Sequence, residues 1–330
     1  VKSNDPKKNY IIGGVVFYNP SEEEIKISLK NSSLFDKFII VWNSRKLDIS
    51  NLKNEFNVVK TIKELENNLN LGIAGGLNKL MNYAFSRDIE YVLCLDQDSQ
   101  IVTDKRQLSE CFDLLKGFSN FPCVGFQREK SFPKYNQSKN KNNYIIPKIN
   151  KTSILNYSFM HSGCIYSTRL WKKLRGFRKD FFIEGTDTEY CLKAKKEGFD
   201  LYTFNINLMN HDSGIEKNIY ISSKISLKLG YHPPWRIYLQ YRNNIYLILK
   251  YFSTNFYWSL KALFLNFSIK IFQIFITEKK KGILLLAITT GIFDGIISIM
   301  FDHENMKSFF YDLILKKNIK KDIPKFNRYI

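Results

Sequence analysis

YVLCLDQDSQ, residues 91 to 100, sets the problem of this chain: the apolar run Tyr91-Val92-Leu93-Cys94-Leu95 leads straight into Asp96-Gln97-Asp98. Such a run reads as a strand buried on both faces, as in a parallel sheet covered by helices. Carboxylates seldom go inside unless something pairs with them, so the end of this strand asks for a positively charged partner. The flanking sequence has the matching pattern. YIIGGVVFYNP (10–20) predicts a strand ending at Asn19-Pro20, and Ser21 then caps a helix with Glu22, Glu23 and Glu24 in its first turn. KFIIVWNS (37–44) and FNVVKTI (56–62) predict two more strands. GIAGGLNKLMNYAFSR (72–87) predicts a helix, with Leu77, Leu80, Met81 and Ala84 at helical spacing. Strands alternating with helices give an α/β, Rossmann-like fold with a mostly parallel central sheet flanked by helices. Ligands of such sheets bind beyond the carboxyl ends of the strands. Asn19, Asn43-Ser44 and Asp96-Gln97-Asp98 are therefore expected on one rim.

At 330 residues, with 44% hydrophobic and 25% charged residues, the chain is in the globular range. The expected division is a nucleotide-binding domain over 1–232 and a helical C-terminal region over 233–330. The start of the chain is not read as an export signal, because Tyr10–Tyr18 is short and strand-like. Five cysteines without a CxxC pair read as free thiols in a reducing cytoplasm, which argues against disulfides and zinc. Residues 128–151, rich in Lys and Asn, read as a surface loop.

The net charge is +19, and residues 216–330 hold 18 Lys and Arg against 7 Asp and Glu, a net of +11. A Lys- and Asn-rich codon bias accounts for a general excess but not for this asymmetry, which points to an anionic partner. Nucleic acid is argued against, since the basic residues are spread along apolar segments and no binding motif is present. From Pro233 the sequence turns apolar and aromatic. GILLLAITTGIFDGIISIM (282–300) has 19 residues and one charge, Asp294, so it just reaches spanning length. A central aspartate costs about 2.5–3.5 kcal/mol on insertion scales. The C-terminal segments are thus expected as amphipathic helices lying on the cytoplasmic face of an anionic membrane. Packing on the core and a homodimer contact are the alternatives.

An Asp-x-Asp at the end of a parallel strand suits a hard divalent cation, Mn²⁺ or Mg²⁺, that clamps a diphosphate. A solvated acidic turn is the other reading of so short a pattern. FFIEGTDTEYCLK (181–193) adds Glu184, Asp187 and Glu189, and MNHDSG (209–214) adds His211. A carboxylate there is placed to take the proton of an acceptor hydroxyl, and an imidazole to complete a metal shell. A helix cap and a loop histidine are the plainer readings.

In this order the motifs VVFYNP, NLNLGIAGGLN, LDQDS, HSGCIYS, FIEGTDTEYCLKAKKEGF, NHDSG and RIYLQYRN resemble a family 2 glycosyltransferase of the GT-A fold, and more narrowly its bacterial rhamnosyltransferase branch. The resemblance runs from about Tyr10 to Tyr251. It implies that Asp96 and Gln97 bind the donor's diphosphate and that Asp98 and His211 hold the cation. It makes Asp187 the catalytic base and Glu189 the second acid of a motif that normally ends in arginine, where this chain has Lys193. Tyr18, Asn19, Asn43, Asn70, Gly72 and Asn78 shape the nucleotide pocket. Arg236, Tyr241, Arg242 and Asn243 lie near the donor phosphates and acceptor, with Glu184 in support. Trp42 stands where the family has an aspartate that contacts the nucleobase. An indole can stack on a base but cannot accept its imide hydrogen. The implied activity is inverting transfer of L-rhamnose from dTDP-L-rhamnose to a lipid-linked saccharide in cell-surface polysaccharide synthesis. A uridine-linked donor, or a catalytically silent scaffold in such an assembly, is the alternative.

Overall fold

The computed structural model describes residues 11–301 except 68, 104, 117–119, 127–146, 152–158, 208, 211–215, 223–224, 231–232, 255, 262, 264–270 and 272–280. The strands are β1 (Ile11–Phe17), β2 (Phe38–Trp42), β3 (Ile62–Glu66), β4 (Tyr91–Leu95), β5 (Gln100–Ile101), β6 (Cys123–Phe126), β7 (Ile149–Lys151), β8 (Cys164–Ser167), β9 (Tyr202–Phe204), β10 (Met209–Asn210), β11 (Glu216–Ser222) and β12 (Ile225–Gly230). The helices are α1 (Glu22–Ser32), α2 (Ser50–Glu55), α3 (Gly72–Phe85), α4 (Lys105–Lys116), α5 (Thr168–Lys173), α6 (Thr186–Lys196), α7 (Pro234–Tyr251), α8 (Phe256–Lys261) and α9 (Lys281–Phe301).

Eight strands form one sheet in the order β3-β2-β1-β4-β8-β6-β9-β7. β1 lies parallel to β2 and β4, and β2 parallel to β3. β8 is inserted antiparallel between β4 and β6. The expected α/β architecture with a mostly parallel sheet is present. Each face of the sheet is covered. Ile12, Ile39, Val41 and Cys94 pack with Leu77, Leu80 and Met81 of α3 on one side. Val15, Phe17, Ile40 and Leu95 pack with Ile25 and Leu29 of α1 and Leu108 of α4 on the other. Double coverage is why these strands read as continuous apolar runs.

α1 begins as the sequence predicts: Glu24 N–H donates to Ser21 Oγ (3.3 Å), and Ser21 N–H donates to Glu24 Oε2 (2.6 Å). The third strand does not. It occupies Ile62–Glu66 rather than 56–62, because Phe56 ends α2 and Asn57 takes a left-handed φ of 54° that breaks an extended run. β3 is an edge strand, and its alternating charges suit an edge: Glu64 and Glu66 pair with Lys53 (2.8 Å) and Lys46 (3.0 Å). All five cysteines are buried free thiols, as expected, and burial pushes Cys111 up to about 12.

The chain forms two compact units, one of residues 1–177 and 187–211, the other of 178–186 and 212–330. In the second unit α7 and α9 lie side by side, and β11 and β12 make an antiparallel hairpin. α7 also grips the short segment 178–186. Asn243 Nδ2 donates to Phe181 O (3.0 Å) and Glu184 O (2.6 Å), and Arg242 bonds Asp180 O. Arg178 bonds the Tyr246 hydroxyl and forks onto Asp180 at 2.7 and 3.1 Å.

In the first unit α3 approaches β1 closely enough that a Cβ on Gly14 would lie 2.6 Å from Leu80 Cδ2. Gly14→Ala is expected to cost about 1–3 kcal/mol of stability through overpacking, read as a lower urea midpoint with an unchanged m-value.

Candidate functional site

The acidic turn after β4 is held by side chains of α1 and of Ser162 and by the backbone of Tyr18, all in the first unit. Asp96 N–H donates to Ser162 Oγ (3.0 Å), and the Ser162 hydroxyl donates to Ser99 Oγ (2.6 Å). Asn31, buried on the inner face of α1, donates to Ser99 O (2.7 Å) and accepts from Ile101 N–H (2.9 Å). Gln97 Oε1 accepts from Tyr18 N–H (3.0 Å), and its Nε2 donates to Glu24 Oε1 (2.8 Å). Glu24 is the same carboxylate that closes the α1 capping box. The middle residue of Asp-Gln-Asp is thus a strap to the α1 N-terminus, and the two carboxylates of Asp96 and Asp98 are left partly exposed at the strand end.

β10 pairs antiparallel with β5, Asn210 opposite Gln100 and Met209 opposite Ile101. The chain leading to His211 therefore runs beside the residues that follow Asp98. His211 itself falls outside the described residues. Among the described residues no cluster of three or more His, Cys, Asp or Glu could hold a metal. The donor set is two carboxylates, which fits a hard cation that completes its shell with water and phosphate oxygens.

Around this turn the expected pocket residues divide by role. Tyr18 presents its ring to solvent, 42% exposed. Asn19 turns the chain with a φ of 46°, and its N–H donates to Ser44 Oγ (3.0 Å). The amides of Asn43, Asn70 and Asn78 are instead committed to the protein. Asn43 Nδ2 donates to Gly72 O (2.6 Å), and its Oδ1 accepts from Asn67 (2.6 Å). Asn70 Oδ1 accepts from Gly72 N–H (2.9 Å), where Gly72 takes the left-handed φ of 66° that favours glycine. Asn78 clamps Phe177 from both sides, donating to its carbonyl (2.8 Å) and accepting from its N–H (2.9 Å) and from Trp171 Nε1 (3.1 Å). These residues brace the rim.

Trp42 departs from its expected place against a nucleobase. Its side chain is fully buried, packed edge-on against Phe17 at 5.1 Å, and its Nε1 donates to Glu64 Oε2 (2.9 Å). β2 alternates its side chains between the two faces of the sheet, and at position 42 the side chain falls on the face occupied by Phe38 and Ile40.

α6 starts at Thr186 and places Asp187 in its first turn, where Thr188 N–H donates to Asp187 Oδ1 (2.7 Å). Glu189 is buried and paired with Lys193 one turn on (3.1 Å), and Lys193 also donates to Gly176 O (2.7 Å). The lysine at the arginine position therefore serves to neutralise a buried glutamate. In the second unit, Arg236 pairs with Glu184, which Gln240 also contacts (3.4 Å), and Arg242 Nε donates to Asn243 Oδ1 (2.9 Å). Both arginines expected near phosphates are engaged inside their own unit. Burial pushes the Tyr241 phenol well up.

Ser99, His161 and Ser162 lie within the motifs LDQDS and HSGCIYS but carried no assigned role, and Asn31 was not singled out by the sequence. Asn31 left one trace there, a polar residue on the apolar face of an amphipathic helix. His161 sits among Tyr166, Phe177 and the residues that lead to Asp96's partner Ser162. Its Nδ1 lies 2.7 Å from the Tyr166 hydroxyl, and burial holds the imidazole down to about 3.

No family model matches the chain. The dTDP-rhamnosyl transferase RfbF of Shigella flexneri is 23% identical over 242 residues, which is 72% of this chain and 79% of that protein. Residues 1–349 of S. aureus TarS in complex with UDP-GlcNAc superpose with a TM-score of 0.54 at 15% identity, over 88% of this chain and 81% of that one. The same TarS fragment without that ligand gives 0.52 at 14% identity, over 87% and 80%. The architecture is that of GT-A glycosyltransferases.

Gln97→Ala cuts the strap to Tyr18 and Glu24. It is expected to weaken nucleotide-diphosphate binding by roughly five- to tenfold, the equivalent of about one lost hydrogen bond's contribution, with little change in melting temperature. Calorimetric titration beside a thermal melt checks both. His161 gives a pH signature. Its usual 6.5 falls to about 3 on folding, so between those values the unfolded chain binds the extra proton and stability rises with pH, complete above about 6.5. His161→Gln is expected to remove about 1 kcal/mol per pH unit from the slope of unfolding free energy over pH 4–6, read by urea titration.

Proposed function

We propose that this chain is a glycosyltransferase that moves L-rhamnose from dTDP-L-rhamnose to a hydroxyl of a lipid-linked saccharide in cell-surface polysaccharide synthesis. The observation that carries the reading is the pair of partly exposed carboxylates, Asp96 and Asp98, held at the carboxyl end of β4 in a GT-A fold. The RfbF likeness supports the choice of donor.

Asp96 and Asp98 are the residues that would hold the divalent cation. Bound there, the cation neutralises charge on the diphosphate as the sugar leaves. Tyr18 and Asn19 line the strand-end rim where the nucleotide lies, and Gln97 fixes the turn so that the carboxylates do not have to reorganise. Asp187 takes the proton of the acceptor hydroxyl. The acceptor oxygen then attacks the anomeric carbon, the bond from that carbon to the diphosphate oxygen breaks, and nucleoside diphosphate departs. A single displacement of this kind inverts the anomeric configuration.

The second reading keeps the reaction and takes a uridine-linked sugar, the donor class in the TarS complex. Trp42 leaves base choice to other groups, since its ring is closed off and its N–H occupied.

The test is nucleoside-diphosphate release by the purified chain with lipid-linked acceptor, Mn²⁺, and either dTDP-rhamnose or UDP-sugars. Turnover is expected with dTDP-rhamnose, and Asp187→Asn is expected to lower it by about 10²–10⁴-fold with donor affinity retained. Loss of donor binding in that variant would remove Asp187 from proton transfer. Turnover only with a UDP-sugar would move the donor, and no turnover with any would favour the silent scaffold.

A further inference from the structure

α9 is long and apolar enough to cross a membrane by length and composition, yet its two sides differ. On one side Gly291 and Gly295 meet α7 backbone to backbone: a Cβ on either would lie 2.6 Å from the carbonyl oxygen of Tyr238 or of Arg242. Small residues four apart are what allow two helices to come so close. Successive α9 residues match successive α7 residues, so the helices run parallel. Asp294, the one charge of the segment, is buried on this side, and the Tyr238 hydroxyl donates to its Oδ2 (2.5 Å). On the other side Leu286, Thr289, Phe293, Ile296 and Met300 form an exposed stripe at spacings of three and four, with Phe293 54% and Met300 72% exposed.

We infer that this stripe is a membrane-docking face, and that α9 lies in the plane of an anionic lipid surface instead of crossing it. Two observations choose that occupant. First, the stripe is uncharged, while α9 starts at Lys281, which Lys279 and Lys280 precede in the sequence, and residues 216–330 carry a net +11. A second copy would bring the same excess and be repelled, whereas anionic headgroups complement it. Second, crossing would carry α7 into the hydrocarbon along with α9. α7 holds Arg236 and Arg242 in a polar network with Glu184, Asp180 O and Asn243, and such groups are costly at membrane depth. A helix with one apolar stripe out and its opposite side fastened to a polar helix is a half-immersed element. The inference is independent of which sugar is transferred, or whether any is.

The test uses the full chain in vesicle flotation, with phosphatidylcholine alone or with added phosphatidylglycerol. Flotation with the anionic vesicles is expected. Ile296→Ser with Met300→Ser changes two exposed side chains of the stripe, and should lower the partition coefficient at least about tenfold at an unchanged melting temperature. Reversing Lys279, Lys280 and Lys281 to Glu should abolish the preference for anionic lipid. Flotation unaffected by the serine pair would overturn the proposal. So would absence of flotation together with a dimer, seen by sedimentation, that the serine pair dissociates. To separate lying from crossing, single thiols are introduced as Lys281→Cys and His303→Cys and probed with an impermeant maleimide in sealed inverted membrane vesicles. Labelling at both ends is expected, and protection of one end alone would show a spanning helix.

Discussion

Everything at the candidate site depends on keeping two carboxylates at the end of a strand that is otherwise apolar on both faces. Water or a cation has to meet Asp96 and Asp98, while the strand that carries them is sealed by helices. The molecule reconciles these demands by giving the turn's polar groups to neighbours. Ser162 takes the Asp96 N–H, Asn31 takes both Ser99 O and the Ile101 N–H, and Gln97 is spent on Tyr18 and Glu24. Asp96 and Asp98 then sit half-buried at the strand end, with Asp98 Oδ1 buried. A cation proposed to bind there would meet a turn whose backbone and neighbouring side chains are already held, the form that electrostatic preorganisation takes.

A second consequence concerns α6. Asp187 follows directly on the segment 178–186, which α7 holds through Asn243, Arg242 and the Arg178–Tyr246 contact. Residues that the family resemblance would place near phosphates, Arg236 and Arg242, are spent on that grip. The helix that fastens α9 is thus also the helix that holds the segment 178–186. Each arginine's partner is a carboxylate or carbonyl with low exposure, a setting in which removing one member leaves the other costly to bury.

The sequence carried β1, β2 and β4 because double burial writes itself as continuous apolar runs, and the Ser21 to Glu24 box announced α1. It misplaced β3, since Val58, Val59 and Ile62 look like a strand while the real edge strand IKELE carries charges that only its pairing with Lys46 and Lys53 explains. The acidic turn and Asp187 were legible as chemistry. The rim asparagines were legible as present but not as braces, because an amide's partner is decided by residues up to 99 positions away, as with Asn78 and Phe177. Trp42 was the hardest to read: the glutamate that takes its N–H, Glu64, lies on β3, which the sequence had placed elsewhere.

Whether the strand-end carboxylates hold a cation against a nucleoside diphosphate can be read by calorimetric titration of the chain with dTDP and UDP, with and without Mn²⁺, beside Asp98→Asn. dTDP is expected to bind in preference to UDP, binding to need Mn²⁺, and Asp98→Asn to weaken the Mn²⁺-dependent binding while the melting temperature stays close to that of the parent. Binding of either nucleotide that ignores both Mn²⁺ and Asp98 would contradict the proposal.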